Sequence, residues 1–351
     1  MPDKKQRLSP APSWMDRYFD WVEKLPIPPL AFYFVLYLFV VGLHHVLLWS
    51  AGALPWGEFS QGILFTVYMW AFLQMAAFHY FRDLADQAIL RFKPALKVNL
   101  KEFEDIRFSF VHLDARKTLF ATVFVSLFTV LSVYVFPTIL TPLFFATLAA
   151  RLLAWVVLFF GSPFAFAFFY FVFRSLVWVN RIFDKVKHIN LFNLGPLYFL
   201  SQFTSRVGML FLLYLVLNFL TTNAWGSEQS GEAITLFYLV ANTLIALLAF
   251  LVPLWEIHLR LGAEKERVSE ENNQRLDAAF WQLQRRMDKG KLDDIAQFRN
   301  GISALMDFRT EIRKISTWPW DTGTLRTFLT ALLVPMTVWI VQQVLLRTVV
   351  K

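Results

Sequence analysis

Seven apolar stretches of 16 to 23 residues, separated by charged segments, constrain the fold of this chain more than any other feature. A helix rises about 1.5 Å per residue, so about 20 residues cross the roughly 30 Å hydrocarbon core of a bilayer. In lipid, a helix is the simplest way to pair every backbone polar group. We therefore predict an all-α, polytopic membrane protein with about seven transmembrane helices. The predicted spans are residues 30–49, 60–81, 118–136, 152–173, 207–222, 233–255 and 325–346.

Composition supports this class and narrows the chemistry. Of the 351 residues, 57% are hydrophobic, which exceeds what a water-soluble core needs, and only 17% are charged. The absence of cysteine excludes disulfides, thiolate metal sites and cysteine nucleophiles. The sequence has no phosphate-binding glycine loop, paired-histidine zinc motif or serine nucleophile elbow. We therefore expect no enzymatic activity, no cofactor and no metal.

The positive charges are distributed asymmetrically among the segments between spans. Of 34 Lys and Arg residues, 31 lie in residues 1–29, 82–117, 174–206 and 256–326. The positive-inside rule places these segments in the cytoplasm. We predict a multi-pass inner-membrane protein with its N-terminus in the cytoplasm and its C-terminus outside. Acidic residues are interspersed in the longer segments, so we expect no nucleic-acid partner.

The chain divides into four parts on this basis. Residues 1–29 form a cytoplasmic tail with a short interfacial helix. Residues 30–255 hold six spans and the cytoplasmic loops 82–117 and 174–206. Residues 256–323 form a cytoplasmic helical hairpin, and residues 324–351 hold the last span. Residues 138–150 are apolar but precede Arg151, so we place them as a re-entrant or interfacial piece.

The predicted hairpin rests on apolar periodicity. Apolar residues recur at steps of three and four on both sides of Asp288-Lys289-Gly290-Lys291, which is typical of two amphipathic, coiled-coil-like helices. Gly290 suits a helix C-cap, and Asp293 and Asp294 suit the first turn of the next helix. The two helices either cover each other's apolar stripes or leave them for a partner.

One segment resembles a known group of proteins. Thr317-Trp318-Pro319-Trp320-Asp321 leads into Thr324-Leu325-Arg326 before the last span. With the surrounding residues 256–347 and a second segment, residues 90–121, it resembles a broad group of uncharacterised prokaryotic polytopic membrane proteins. The resemblance covers about a third of the chain. It implies the topology and no activity.

Basic and aromatic residues at the predicted span ends favour contact with lipid. Cationic side chains next to an anionic leaflet gain about 1 kcal/mol each, and tryptophan suits the headgroup layer. We interpret these residues as anchors to anionic headgroups rather than as a ligand site. They are Arg174, Arg181, Lys185, Lys187, Trp318, Trp320 and Arg326.

The spans hold few polar groups. No Asp, Glu or Lys lies deep in any of them, which disfavours an ion-coupled pump. Neutral polar residues either form hydrogen bonds between helices or line a conduit. The candidates are His44, Gln74, Asn218, Asn242, Gln342 and Gln343. His79 and His258 lie at similar predicted depths, so a bis-histidine haem is a third, weaker interpretation.

Four residues are predicted hinges: Gly161, Pro163, Pro253 and Pro335. With the neutral polar residues, they lead to the hypothesis of an oligomeric passive channel or permease. The alternative is a membrane scaffold or sensor whose cytoplasmic hairpin dimerises or binds a soluble protein. We expect a homo-oligomer in either case.

Overall fold

The computed structural model describes residues 11–60, 62–135, 142–186, 190–222, 232–289 and 295–349, and this part of the chain is helical. The helices are α1 (Trp14–Glu23), α2 (Pro29–Ser50), α3 (Ile63–Phe92), α4 (Leu100–Val111), α5 (Ala115–Val135), α6 (Leu148–Phe183), α7 (Gly195–Thr222), α8 (Glu232–Asp288), α9 (Ile295–Lys314) and α10 (Thr322–Val349). The only β pairing among these residues is an isolated bridge between Pro12 and Asp114.

Five helices in the described part of the chain are long and apolar enough to cross a membrane. They are Pro29–Ser50, Ala115–Val135, Leu148–Phe183, Gly195–Leu217 and Val240–Asp288. These coincide with five of the predicted spans, and the protein is membrane-embedded. Helices α3 and α10 coincide with the other two predicted spans but are not among the five. The apolar half of α3 carries Tyr68, Gln74 and His79, which lower its mean hydropathy.

Several helices continue past the predicted span ends. Helix α3 extends to Phe92, and α6 is 36 residues long. Helix α8 is 57 residues long and joins the predicted sixth span to the first arm of the predicted hairpin, without a break at the predicted boundary of 255/256. The physical reason is that Glu, Lys, Arg and Leu dominate after Trp255 and no proline occurs before Asp288.

The predicted re-entrant piece is partly described. Residues 136–141 lie outside the described residues, and Pro142–Phe145 form a single 3-10 turn. The Thr147 hydroxyl then accepts the Ala150 N–H at 3.1 Å and caps α6. Phe144 is fully buried against His44 and Tyr68, so the turn packs on the bundle.

Helices α3 and α7 form the centre of the bundle. Helix α3 packs against α2, α4, α6 and α7, and α7 also packs against α8 and α10. Gly208 of α7 permits the close contacts with α8 and α10, because a Cβ there would lie 2.8 Å from the Ala246 carbonyl oxygen and 2.7 Å from the Phe328 ring. Small residues allow this close approach of helices in membranes.

The short helix α1 was predicted and is present. The Ser13 and Asp16 side chains form a capping box that fixes its start. Its buried apolar residues are Met15, Phe19 and Val22, so this face packs on the bundle, whereas Trp21 is 51% exposed.

Candidate functional site

Charged side chains gather where α1 meets the end of α3. We call this group the ionic cluster. Its members are Asp16, Asp20 and Glu23 of α1, His79, Arg82 and Asp83 of α3, and His112 after α4. The spacing of the α1 acids, at steps of four and three, places them on one face of that helix.

Arg82 is the centre of the ionic cluster. Its side chain is only 7% exposed. The guanidinium donates to the Asp16 carbonyl at 3.0 Å, to the Asp20 carboxylate at 2.8 Å and to the Glu23 carboxylate at 2.7 Å. Buried arginine needs such partners, because desolvation of its charge costs several kcal/mol. Arg82 therefore holds α1 against α3.

His79 lies one turn earlier on α3 and is 1% exposed. Its Nδ1 is 3.0 Å from the Tyr33 hydroxyl, and its Nε2 is 3.2 Å from Glu23. His258 instead stacks on Trp318, with ring centroids 4.0 Å apart. Both ring nitrogens of His79 are thus engaged within the protein, so this arrangement does not suit the bis-histidine haem.

The cluster perturbs two carboxyl groups in opposite directions. Burial, together with the nearby charge of Glu23, raises the pKa of Asp83 to about 6, against the opposing effect of Arg82. Burial also acts to raise the pKa of Asp16, but hydrogen bonds from His112 and Ser13 outweigh it and lower that pKa. Asp83 therefore titrates much closer to neutrality than an ordinary aspartate.

Three members of the cluster have the chemistry of metal ligands. Glu23, His79 and Asp83 each offer one ligand atom, and these atoms lie within 4.8 Å of one another. Imidazole with carboxylates suits Zn²⁺ and similar divalent ions. Any such ion would compete with the Arg82 guanidinium, which already neutralises Glu23.

A stack of aromatic rings joins α8 to the start of α10. The Trp318 ring stacks on His258 at 4.0 Å and on Trp320 at 4.3 Å, and Trp320 stacks on Phe250 at 5.2 Å. We call this stack the aromatic junction. Asp321 then caps α10 by accepting the Thr324 N–H at 2.6 Å. The tryptophans predicted as lipid anchors therefore contact protein rings.

Helix α9 packs along α8. The Asn272 amide donates to the Leu305 carbonyl at 3.1 Å, and Lys265 donates to the Ile315 carbonyl at 2.7 Å. Leu276 and Ile312 are buried at this contact.

Nearer the end of α8, three apolar side chains are exposed. They are Phe280, Trp281 and Met287, at 46%, 64% and 55% exposure, and we call them the hairpin patch.

The structure describes the side chains of three of the six predicted conduit residues. His44 is fully buried, with its Nδ1 2.7 Å from the Tyr68 hydroxyl. Gln74 and Asn242 are half-buried. The side chains of Asn218, Gln342 and Gln343 lie outside the described residues. The conduit stays a prediction.

The predicted hinges lie inside continuous helices. Helix α6 passes through Gly161 and Pro163, α8 through Pro253 and α10 through Pro335. A Cβ at Gly161 would lie 3.3 Å from the Ala71 Cβ, so this glycine allows α6 to approach α3. Their role as hinges stays a prediction.

The predicted basic anchors have different surroundings. Arg174 is half-buried and donates to the His112 carbonyl at 2.5 Å. Arg181 is exposed beside the Trp178 ring, and Lys185 pairs with Glu102 at 2.8 Å. Arg326 is exposed, and Lys187 lies outside the described residues.

Three cavities of about 320 to 480 Å³ occur among the described residues. One lies between α5 and α6 beside Arg174. A second, mostly apolar, lies between α6, α7 and α8 beside Asn180. The third is polar and lies between α7 and α10 beside Gln202. None of the three is lined by His44, Gln74 or Asn242.

Comparison of the sequence with family models and curated proteins, and of the structure with solved structures, gives no significant match. The functional interpretation therefore depends on the geometry of this chain.

Sequence reasoning missed the ionic cluster. The predicted topology places residues 1–29 and 82–117 in the cytoplasm and does not pair their charges with one another. One signal was available, because His79 lies in the last turn of the predicted span 60–81 and Arg82 directly follows it, while Asp16, Asp20 and Glu23 share one helix face. A lone arginine at such a boundary needs an acidic partner.

Proposed function

We propose that this protein is a membrane scaffold that binds a second protein chain through its hairpin patch. In this proposal the chain crosses the inner membrane seven times, with its N-terminus in the cytoplasm and its C-terminus outside. Helices α8 and α9 then form the cytoplasmic hairpin.

The seven-span topology is supported by helix length and by charge. Helices α3 and α10 contain 30 and 28 residues, so each is about 40 to 45 Å long and exceeds the roughly 30 Å hydrocarbon thickness. With these two added to the five apolar helices, 31 of the 34 Lys and Arg residues lie on one side. That distribution matches the positive-inside rule.

Cysteine labelling tests the topology directly, because the chain has no native cysteine. Glu58→Cys lies in the short segment between α2 and α3, and Lys289→Cys lies just after α8. On intact cells, a membrane-impermeant maleimide should label Glu58→Cys and should label Lys289→Cys only after the membrane is opened. Labelling of Lys289→Cys on intact cells would overturn the proposed orientation.

The hairpin patch carries the proposal of a scaffold. Helix α9 covers α8 near Leu276 but leaves Phe280, Trp281 and Met287 largely exposed. In the proposed topology this part of α8 lies in water rather than in lipid. Grouped aromatic and methionine side chains in water mark binding surfaces, and tryptophan is enriched among residues that dominate binding energy.

The patch is also connected rigidly to the membrane. Helix α8 runs without interruption from residue 232 to residue 288. The aromatic junction fixes its middle through His258 and Trp318, and Lys265 ties it to the end of α9. A partner on the patch would therefore be held at a defined distance from the bilayer, which is what a scaffold requires.

A double variant tests this function. Phe280→Ser with Trp281→Ser removes the two aromatic rings without touching the contact of Asn272 with Leu305 of α9. Trp56→Ser is the control, since Trp56 is 76% exposed in a different segment. The readout is amine cross-linking in membranes followed by mass spectrometry of the affinity-purified protein.

We expect the unmodified chain to cross-link to a second copy or to a stoichiometric partner, and the control to do the same. The double variant should lose most of that product while it still elutes as a monodisperse peak. Identical products from the double variant would overturn the proposal, as would a complete absence of products from the unmodified chain.

A further inference from the structure

We propose that the crevice between α5 and α6 binds one anionic phospholipid. Lys117 and Arg174 would hold the phosphate, and an acyl chain would lie against Ala121, Val125 and Phe166. The crevice has a volume of about 410 Å³ and is lined by all five residues. This inference is independent of the hairpin patch.

The polar end of the crevice carries excess positive charge. Lys117 and Arg174 both line it, and the one carboxylate that lines it is Asp114. Asp114 already accepts the backbone N–H groups of Arg116 and Lys117, each at 3.0 Å. These two hydrogen bonds lower the pKa of Asp114, and the one from Lys117 has the larger effect. Its single negative charge offsets only one of the two cations, so the polar end of the crevice keeps a net positive charge for an anionic ligand.

Arg174 also has an unused donor. Its Nη2 donates to the His112 carbonyl, whereas its Nε is buried and has no hydrogen-bond acceptor among the described residues. A buried N–H without an acceptor costs about 1 to 3 kcal/mol. Arg174 lines the crevice, so a phosphate there would meet its guanidinium, and arginine is well suited to phosphate.

The other end of the crevice suits an acyl chain. Lys117 and Val125 are eight residues apart on α5, which corresponds to about 12 Å along the helix. Ala121 and Ala167 face this space with small side chains. Nearby on α5, Phe120, Phe124 and Phe128 are 75%, 61% and 54% exposed, as expected for a helix that contacts lipid. The crevice therefore runs from headgroup depth into the hydrocarbon.

Both ends together favour a phospholipid over the other candidates. Inorganic phosphate would leave the apolar end unfilled, and a neutral amphiphile would leave Arg174 and Lys117 without an anion. The crevice lies between two helices that are apolar enough to span the membrane, so lipid is the most abundant molecule at its opening.

Native mass spectrometry of the delipidated full-length chain tests the site. The probes are phosphatidylglycerol and phosphatidylethanolamine, each added at the same concentration. Arg174→Gln removes the cation, and Ala121→Phe fills the crevice without changing any charge. Arg181→Gln is the control, because Arg181 is an exposed cation two turns further along α6 that does not line the crevice.

We expect the unmodified chain and Arg181→Gln to retain one phosphatidylglycerol at moderate collision energy. Arg174→Gln and Ala121→Phe should each reduce that retention at least tenfold. Full retention by Ala121→Phe would overturn the site, as would an equal loss from Arg181→Gln. Equal retention of phosphatidylethanolamine by the unmodified chain would overturn the preference for an anionic lipid.

Discussion

Replacement of Arg82 by glutamine should destabilise the protein more than replacement of any other paired arginine described above. The side chain is 7% exposed and makes three hydrogen bonds of 2.7 to 3.0 Å. Loss of one partner from a buried ion pair costs about 3 to 5 kcal/mol. The Asp20 and Glu23 side chains are 50% and 41% exposed, so water can partly solvate them. We therefore expect a loss of about 2 to 3 kcal/mol.

Arg107→Gln is the matched control. Arg107 binds Asp86 through two hydrogen bonds of 2.6 and 2.8 Å, but its side chain is 32% exposed. Pairs of this exposure contribute about 1 kcal/mol or less. Thermal unfolding in detergent, followed by fluorescence-detected size-exclusion chromatography, compares the two variants. If Arg82→Gln unfolds at the same temperature as Arg107→Gln, the interpretation of the ionic cluster is wrong.

Two further predictions concern stability. The folded pKa of Asp83, about 6, exceeds its ordinary value of 3.8, so its charge opposes folding above pH 6 and its protonation favours folding as the pH falls from 6 to 4. Asp83→Asn should therefore raise the free energy of unfolding at pH 8 by about 1 kcal/mol after allowance for solvent screening, with a higher unfolding temperature, and should have no such effect at pH 4. Gly208→Ala should cost about 1 to 3 kcal/mol because its Cβ meets Phe328, whereas Gly262→Ala, with open space, should stabilise the helix slightly. Thermal unfolding of Asp83→Asn at the two pH values, and of both glycine variants under the same conditions, checks these outcomes.

The helical class and the positions of most apolar helices could be predicted from the sequence. Both follow from local properties, namely the length and hydropathy of single stretches. The Ser13 and Asp16 capping box is equally local, so α1 was predictable. The continuity of α8 past Trp255 was not predicted, because a change from apolar to charged residues is compatible with a helix that continues.

The arrangement of the ionic cluster could not be predicted in the same way, because it depends on contacts between residues that are distant in the sequence. Arg82 and Asp20 are separated by 62 positions, and Arg174 and the His112 carbonyl by the same number. Hydropathy assigns each charged residue to water by itself. Only the packing of α1 on α3 shows that these charges neutralise one another within the protein.

Because α8 is one continuous helix, a rotation at one end displaces the other end. From Trp255 to Asp288 the helix extends by about 50 Å, at about 1.5 Å per residue. A tilt of about 5° at Trp255 would displace Asp288 by about 4 Å, because the helix is continuous between these two residues. In the proposed topology, a tilt of the membrane-spanning part of α8 would thus be magnified at Phe280 and Trp281.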